Sequence, residues 1–227
     1  MLGKERKSID GSGFTMVELL VVMAIVGVVM AGIYQVYYAQ QKSYLVQEQV
    51  AAMQQNLRAA MYYMERDVRM AGCDPNKSSG AAITTANASS ISFTMDINDN
   101  SNTGNPDGDV NDTNENISYG LSGTNLTRNG GGNIIAENID ALDFVYLNGA
   151  DPPVVLNPGG IDVPSLSIPN IRSVEITLVA RTGDADRGYS DTDAYQNQQG
   201  RVILPAQNDN FHRRRLTTYI HCRNLGL

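Results

Sequence analysis

Side chains that can supply oxygen to a metal recur on alternate residues near the middle of this chain: Asp96, Asn98 and Asn100, then Asp107 and Asp109. Alternation within a tight loop turns such groups to one side, where their oxygens can surround a hard cation such as Ca²⁺. The segment departs from an EF-hand loop, because Ser101 stands where its glycine would fall and Asp107 where its final Glu would fall. A solvated acidic hairpin loop, built by the turn preferences of Asn, Asp and Gly, uses the same residues. A second acidic group, Asp184, Asp186, Asp191 and Asp193, is spaced less like a ligand set and reads as a loop.

No catalytic constellation accompanies these groups. The two histidines, His212 and His221, lie among Arg213, Arg214, Arg215 and Arg223. Strand alternation would put His221 and Cys222 on opposite faces, which argues against a local dyad. No G-x-x-x-x-G-K-[ST] loop is present to cradle a nucleotide, and Gly130 to Gly132 read as a turn. The expectation is a protein that is not an enzyme and requires no cofactor, with Ca²⁺ as the ion the acidic loop would take if it binds one. A net charge of −7 over 227 residues disfavours a broad phosphate-binding surface, so no nucleic-acid partner is expected. The arginine run reads instead as a sheet edge seeking carboxylates.

The elements that must position these groups divide sharply by composition. With 42% hydrophobic residues the chain can fold, but the apolar residues are concentrated near its start. Residues 1–13 are polar and carry Lys4, Arg6 and Lys7, and from Leu19 to Gln41 no residue is charged. A helix over 14–34 at about 1.5 Å per residue would span a bilayer core of about 30 Å, with the basic leader held on the cytoplasmic side. The small residues Gly11, Ser12 and Gly13 precede the apolar run, so a cut there would retain the helix. Glu18 is costly near the start of such a helix unless something pairs with it. Val46, Val50, Met53, Leu57, Met61, Met64 and Val68 then recur at three- and four-residue steps, which predicts one long helix from 14 to 70, ended by Gly72 and Pro75. Its second part, 35–71, is amphipathic.

Gly13 followed by Phe14-Thr15-Met16-Val17-Glu18-Leu19-Leu20 resembles the processing site of type IV prepilins and type II secretion pseudopilins. That resemblance implies peptidase cleavage after Gly13, N-methylation of Phe14, and pairing of Glu18 with the Phe14 amine of a neighbouring subunit in a filament. The segments MERDVRMAGCDP, 64–75, and FHRRRLTTYIHCRN, 211–224, resemble the PilW branch of minor pilins, related to the J-type pseudopilins. The implied partners are other minor pilins and the major pilin, the prepilin peptidase, the inner-membrane assembly platform, and membrane lipid before assembly. The implied location is the bacterial inner membrane, with the C-terminal domain in the periplasm, and then a pilus or its tip. A pseudopilin moving folded proteins and a tip adhesin binding a surface ligand are alternatives within the same resemblance.

Beyond Pro75 the pattern turns to alternation, at 90–95, 116–121, 125–128, 139–147, 174–180 and 216–223, separated by Gly-, Pro-, Asn- and Asp-rich stretches. The expected fold is α+β: a long N-terminal helix packed on a mainly antiparallel β domain over 72–227. Export of that domain would allow Cys73 and Cys222 to form a disulfide, closing a loop of about 150 residues and contributing about 2–4 kcal/mol. Two buried free thiols are the other reading of the pair.

Overall fold

The computed structural model describes residues 13–226, so the leader expected over 1–13 lies outside the described residues except for Gly13. One α-helix, α1, runs Met16–Met70. The chain forms two compact units that part after Gln47, within this helix.

In the first unit the helix stands alone. Its large apolar side chains from Phe14 to Tyr38 are each 48–85% exposed, an arrangement that water does not favour and lipid or neighbouring helices would. The helix is long and apolar enough to cross a membrane.

In the second unit α1 turns one stripe inward: Met53, Leu57, Ala60, Met61, Met64 and Val68 are buried, as the three- and four-residue spacing requires. Five strands follow as an antiparallel meander in spatial order β1 to β5: Ile83–Ala86, Ile91–Thr94, Asn116–Ser122, Asn125–Arg128 and Ile134–Ala136. A second, three-stranded antiparallel sheet is built from β6 Ile139–Leu147, β7 Ser173–Arg181 and β10 Arg213–His221, with β7 in the centre. A short hairpin, β8 Tyr195–Gln196 and β9 Val202–Leu204, completes the set. The expected α+β architecture is therefore the observed one. The helix stripe and inward residues of both sheets, such as Phe93, Tyr119, Phe144 and Ile176, share one hydrophobic core.

Both faces of the second sheet are covered. In β7, Val174, Ile176, Leu178 and Ala180 face the core shared with α1, while Glu175 and Thr177 on the other parity are buried as well. Asp143 of β6 meets Asn197 and Arg201 of the β8–β9 region, and Glu175 meets Gln199, so the hairpin is seated through polar groups. Burial raises the pKa of both carboxyls, most strongly through desolvation.

The helix ends where the sequence predicts. Gly72 takes φ +75°, a conformation open to glycine, and its N–H donates to Thr94 O at 2.9 Å, which turns the chain onto the first sheet. A side chain there would meet the Cδ2 of Leu225. One buried polar residue interrupts the stripe. Asp67 accepts from Tyr119 Oη at 2.8 Å and from Arg128 Nε at 2.8 Å, so an α1 carboxylate is bonded to β3 and β4 together.

Candidate functional site

The start of α1 is a reciprocal cap. Thr15 Oγ1 accepts from Glu18 N–H at 3.3 Å, while Glu18 Oε2 accepts from Thr15 N–H at 2.9 Å and from Thr15 Oγ1 at 2.8 Å. This is the T-x-x-E capping box, which satisfies backbone donors that a helix start otherwise leaves open. Glu18 therefore has an internal partner, which the spacing from Thr15 could have revealed and the membrane argument passed over. Gly13 and Phe14 are exposed immediately before the cap.

The acidic loop is organised differently from the alternating set. Asp107 and Asp109 do come together, but with Asp112 as the third member; one carboxylate oxygen from each lies within 4.8 Å of the others. Asn98 is committed elsewhere, its Nδ2 donating to Thr113 O at 2.7 Å, and Asn100 Nδ2 donates to Asp107 Oδ2 at 3.3 Å. Asp96 is fully buried beneath the loop, with Oδ2 accepting from Gly108 N–H at 3.1 Å. Glu115, also fully buried, accepts from the N–H groups of Ile97 and Asn98 at 2.8 Å and of Asp112 at 3.1 Å. Two carboxylates thus hold the base of the loop, and desolvation raises the pKa of Asp96, with Glu115 adding to it.

Arg213 forms the other charged centre. Its guanidinium donates to Asp140 Oδ2 at 2.7 Å, to Asp191 Oδ2 at 3.0 Å, and to both oxygens of Asp209 at 2.6 and 2.7 Å. The side chains of Arg213 and Asp191 are each 1% exposed. The carboxylate-seeking reading of the arginine run holds for this residue, and Asp191, read from sequence as an ordinary loop residue, is one of its partners.

Cys73 and Cys222 stand as free thiols in the structure, the second of the two readings of the pair. Cys222 packs in the core as a small apolar group and Cys73 lies against its rim; desolvation raises both thiols, Cys222 to about 12. The histidines have structural partners: His212 stacks on Tyr189 with ring centres 3.8 Å apart and lies 3.3 Å from Asp186 Oδ2, and His221 Nδ1 is 3.2 Å from Ser173 Oγ. His221 is exposed and Cys222 buried, as strand alternation requires.

The prokaryotic N-terminal methylation motif matches residues 11–34, the segment that holds the cap and the exposed apolar helix. The model of prepilin peptidase-dependent protein B matches residues 46–193, more than half of the chain. The chain belongs to the prepilin peptidase-dependent protein B family. It is a type IV pilin-like protein of a structural, non-enzymatic kind. The fold is similar to that of the type IV-like pilin TTHA1219 from Thermus thermophilus, with a TM-score of 0.54 and 16% identity over 78% of this chain and 100% of that one. No curated protein sequence matches.

For this family member the family match spans the second half of α1 and continues through β7 to Asp193. It includes Asp67 and the acidic loop but stops short of β10 and Arg213, so the basic C-terminal strand is joined to the matched region through Asp140 and Asp191.

Proposed function

We propose that the chain is a minor pilin, cut after Gly13 by the prepilin peptidase, N-methylated on Phe14 and assembled through α1 with other pilins. Before assembly its apolar segment resides in the inner membrane, and its β-rich unit lies in the periplasm. The single observation that supports this best is the coincidence of the methylation motif with a helix whose large apolar side chains from Phe14 to Tyr38 are all exposed. Exposed apolar surface of that extent needs lipid or other helices around it, and a filament core supplies the second. Glu18 sits at the head of that helix, where the Phe14 amine of a neighbouring subunit would pair with it.

Mass analysis of the N-terminal peptide, from cells with and without the peptidase, tests the processing step. The expected peptide begins at monomethylated Phe14 only when the peptidase is present. A chain beginning at Met1 in both strains would end the proposal. Labelled imaging of sheared filaments tests assembly, and Glu18→Ala is expected to be depleted from them while remaining in the membrane. Undiminished incorporation would remove the role given to Glu18.

A further inference from the structure

The loop between β2 and β3 carries six carboxylates and no Lys, Arg or His; Asp99 is bonded to Ser101 and Thr103, and five remain. Asp107, Asp109 and Asp112 bring their oxygens within 4.8 Å of one another. Asp96 and Glu115 lie at its base, each fully buried. Among the described residues, no Lys, Arg or His forms an ion pair with any of the five.

Clustering of acids alone is ordinary on a protein surface. Unmet oxygens closed off from water are not, because a buried acceptor left without a partner is costly. Two of the loop's oxygens are in that position. Asp112 Oδ2 belongs to the cluster itself and is shielded from solvent with no hydrogen-bond partner. Asp96 Oδ1 is likewise unpartnered, in a side chain with no exposure at all. The other oxygen of Asp96 is fixed to the N–H of Gly108, the residue between Asp107 and Asp109, so the buried carboxylate is seated against the turn that carries two of the three clustered groups.

We propose that Asp107, Asp109 and Asp112 bind a hard divalent cation, Ca²⁺, with Asp96 and Glu115 supplying negative charge from below. The distances fit this ion. Two oxygens sharing one Ca²⁺ at about 2.3–2.6 Å can lie no farther apart than about 5 Å, and water completes a coordination number of about 6–8. Mg²⁺, with ligands at about 2.0–2.1 Å and a demand for octahedral geometry, suits a solvent-facing irregular loop less well. The cluster has no His or Cys to favour a softer ion.

Calorimetry on the detergent-solubilised full chain, stripped with EDTA and titrated with CaCl₂ or MgCl₂, tests the proposal. The expected result is one Ca²⁺ site with a Kd of about 10⁻⁴–10⁻³ M, the range of extracellular modules, and much weaker Mg²⁺ heat. Asp112→Asn is expected to weaken Ca²⁺ at least about tenfold. Melting in EDTA separates this from misfolding: the variant should melt no lower than the native chain, since it removes one of several repelling charges, and should lose the Ca²⁺-dependent rise. Absence of heat at millimolar Ca²⁺, an equal response to Mg²⁺, unchanged binding by Asp112→Asn, or a lower melting point of that variant in EDTA would each overturn the proposal.

Discussion

Replacing Arg213 with Met keeps its apolar stem and removes the guanidinium that three carboxylates share. The Arg213 side chain is 1% exposed, as is that of Asp191; Asp140 is 9% exposed and Asp209, at the edge of the centre, 32%. Breaking a buried pair by deleting one partner costs about 3–5 kcal/mol, because the surviving charge has neither water nor a counterion. Asp191 falls in that class, whereas Asp140 keeps Arg181 at 3.5 Å and Asp209 can turn to solvent. For a unit of this size each kcal/mol moves the melting point by about 2–4 °C, so the expected loss is about 6–20 °C at pH 7. Near-UV circular dichroism of the detergent-solubilised chain can follow the transition through tyrosine, since the chain contains 11 Tyr and no Trp. The pH dependence has a definite sign. In the native chain the Arg213 hydrogen bonds hold Asp209 below its usual range, so its contribution is present above the unfolded carboxylate value and is lost as pH falls through the folded one. In the variant, Asp191 is left buried with no cation beside it among the described residues. The deficit should therefore be largest near neutrality and shrink toward pH 4. Arg214→Met, at the exposed neighbouring position, is the control, with an expected change within about 0.5 kcal/mol. A deficit below about 1 kcal/mol, or one independent of pH, would refute the reasoning.

Asp67→Asn should destabilise the second unit by about 1.5–3 kcal/mol in a thermal melt, because Tyr119 and Arg128 both donate to one oxygen of the buried carboxylate. The Cys222 thiol, raised to about 12 by burial, should resist alkylation at pH 8 in the native chain and react within minutes in denaturant. Since its folded value lies above the unfolded one, its contribution to stability is intact below about pH 8.5 and is lost as pH rises toward 12, which an alkaline melting series reads directly. Gly72→Ala should cost about 1–2 kcal/mol, from the left-handed backbone and from displacement of Leu225, measured by denaturant titration.

Periodicity carried the large elements. The seven-residue stripe from Val46 to Val68 and the alternation in 139–147 each repeat often enough to declare a period, and α1 and β6 follow them closely. Strands β5, β8 and β9 span two or three residues, too few to show alternation, and are held by pairing with neighbours that sequence does not reveal. The charged centres were less legible for a related reason. Asp140, Asp191 and Asp209 reach Arg213 from 73, 22 and 4 positions away, so only the folded topology assembles them. In the acidic loop, alternation identified Asp107 and Asp109 but also selected Asn98, whose amide donates to a loop carbonyl. Asp112 entered through the turn at 107–112 rather than through spacing. Glu18 shows the reverse situation: its capping partner lies three residues away and was readable from the start.

The division of labour within that one carboxylate bears on assembly. Both bonds that Glu18 accepts from Thr15 fall on Oε2, leaving the helix start complete without calling on Oε1. A neighbouring subunit's amine can then approach the second oxygen while the first continues to close the helix, so joining the filament need not fray the segment that joins it. A carboxamide offers a single acceptor oxygen and must serve one duty at the expense of the other. Glu18→Gln should therefore either retain its helix start or enter filaments, and hydrogen exchange at the N–H of Thr15, read alongside filament content, would show whether it manages both and so disprove the division.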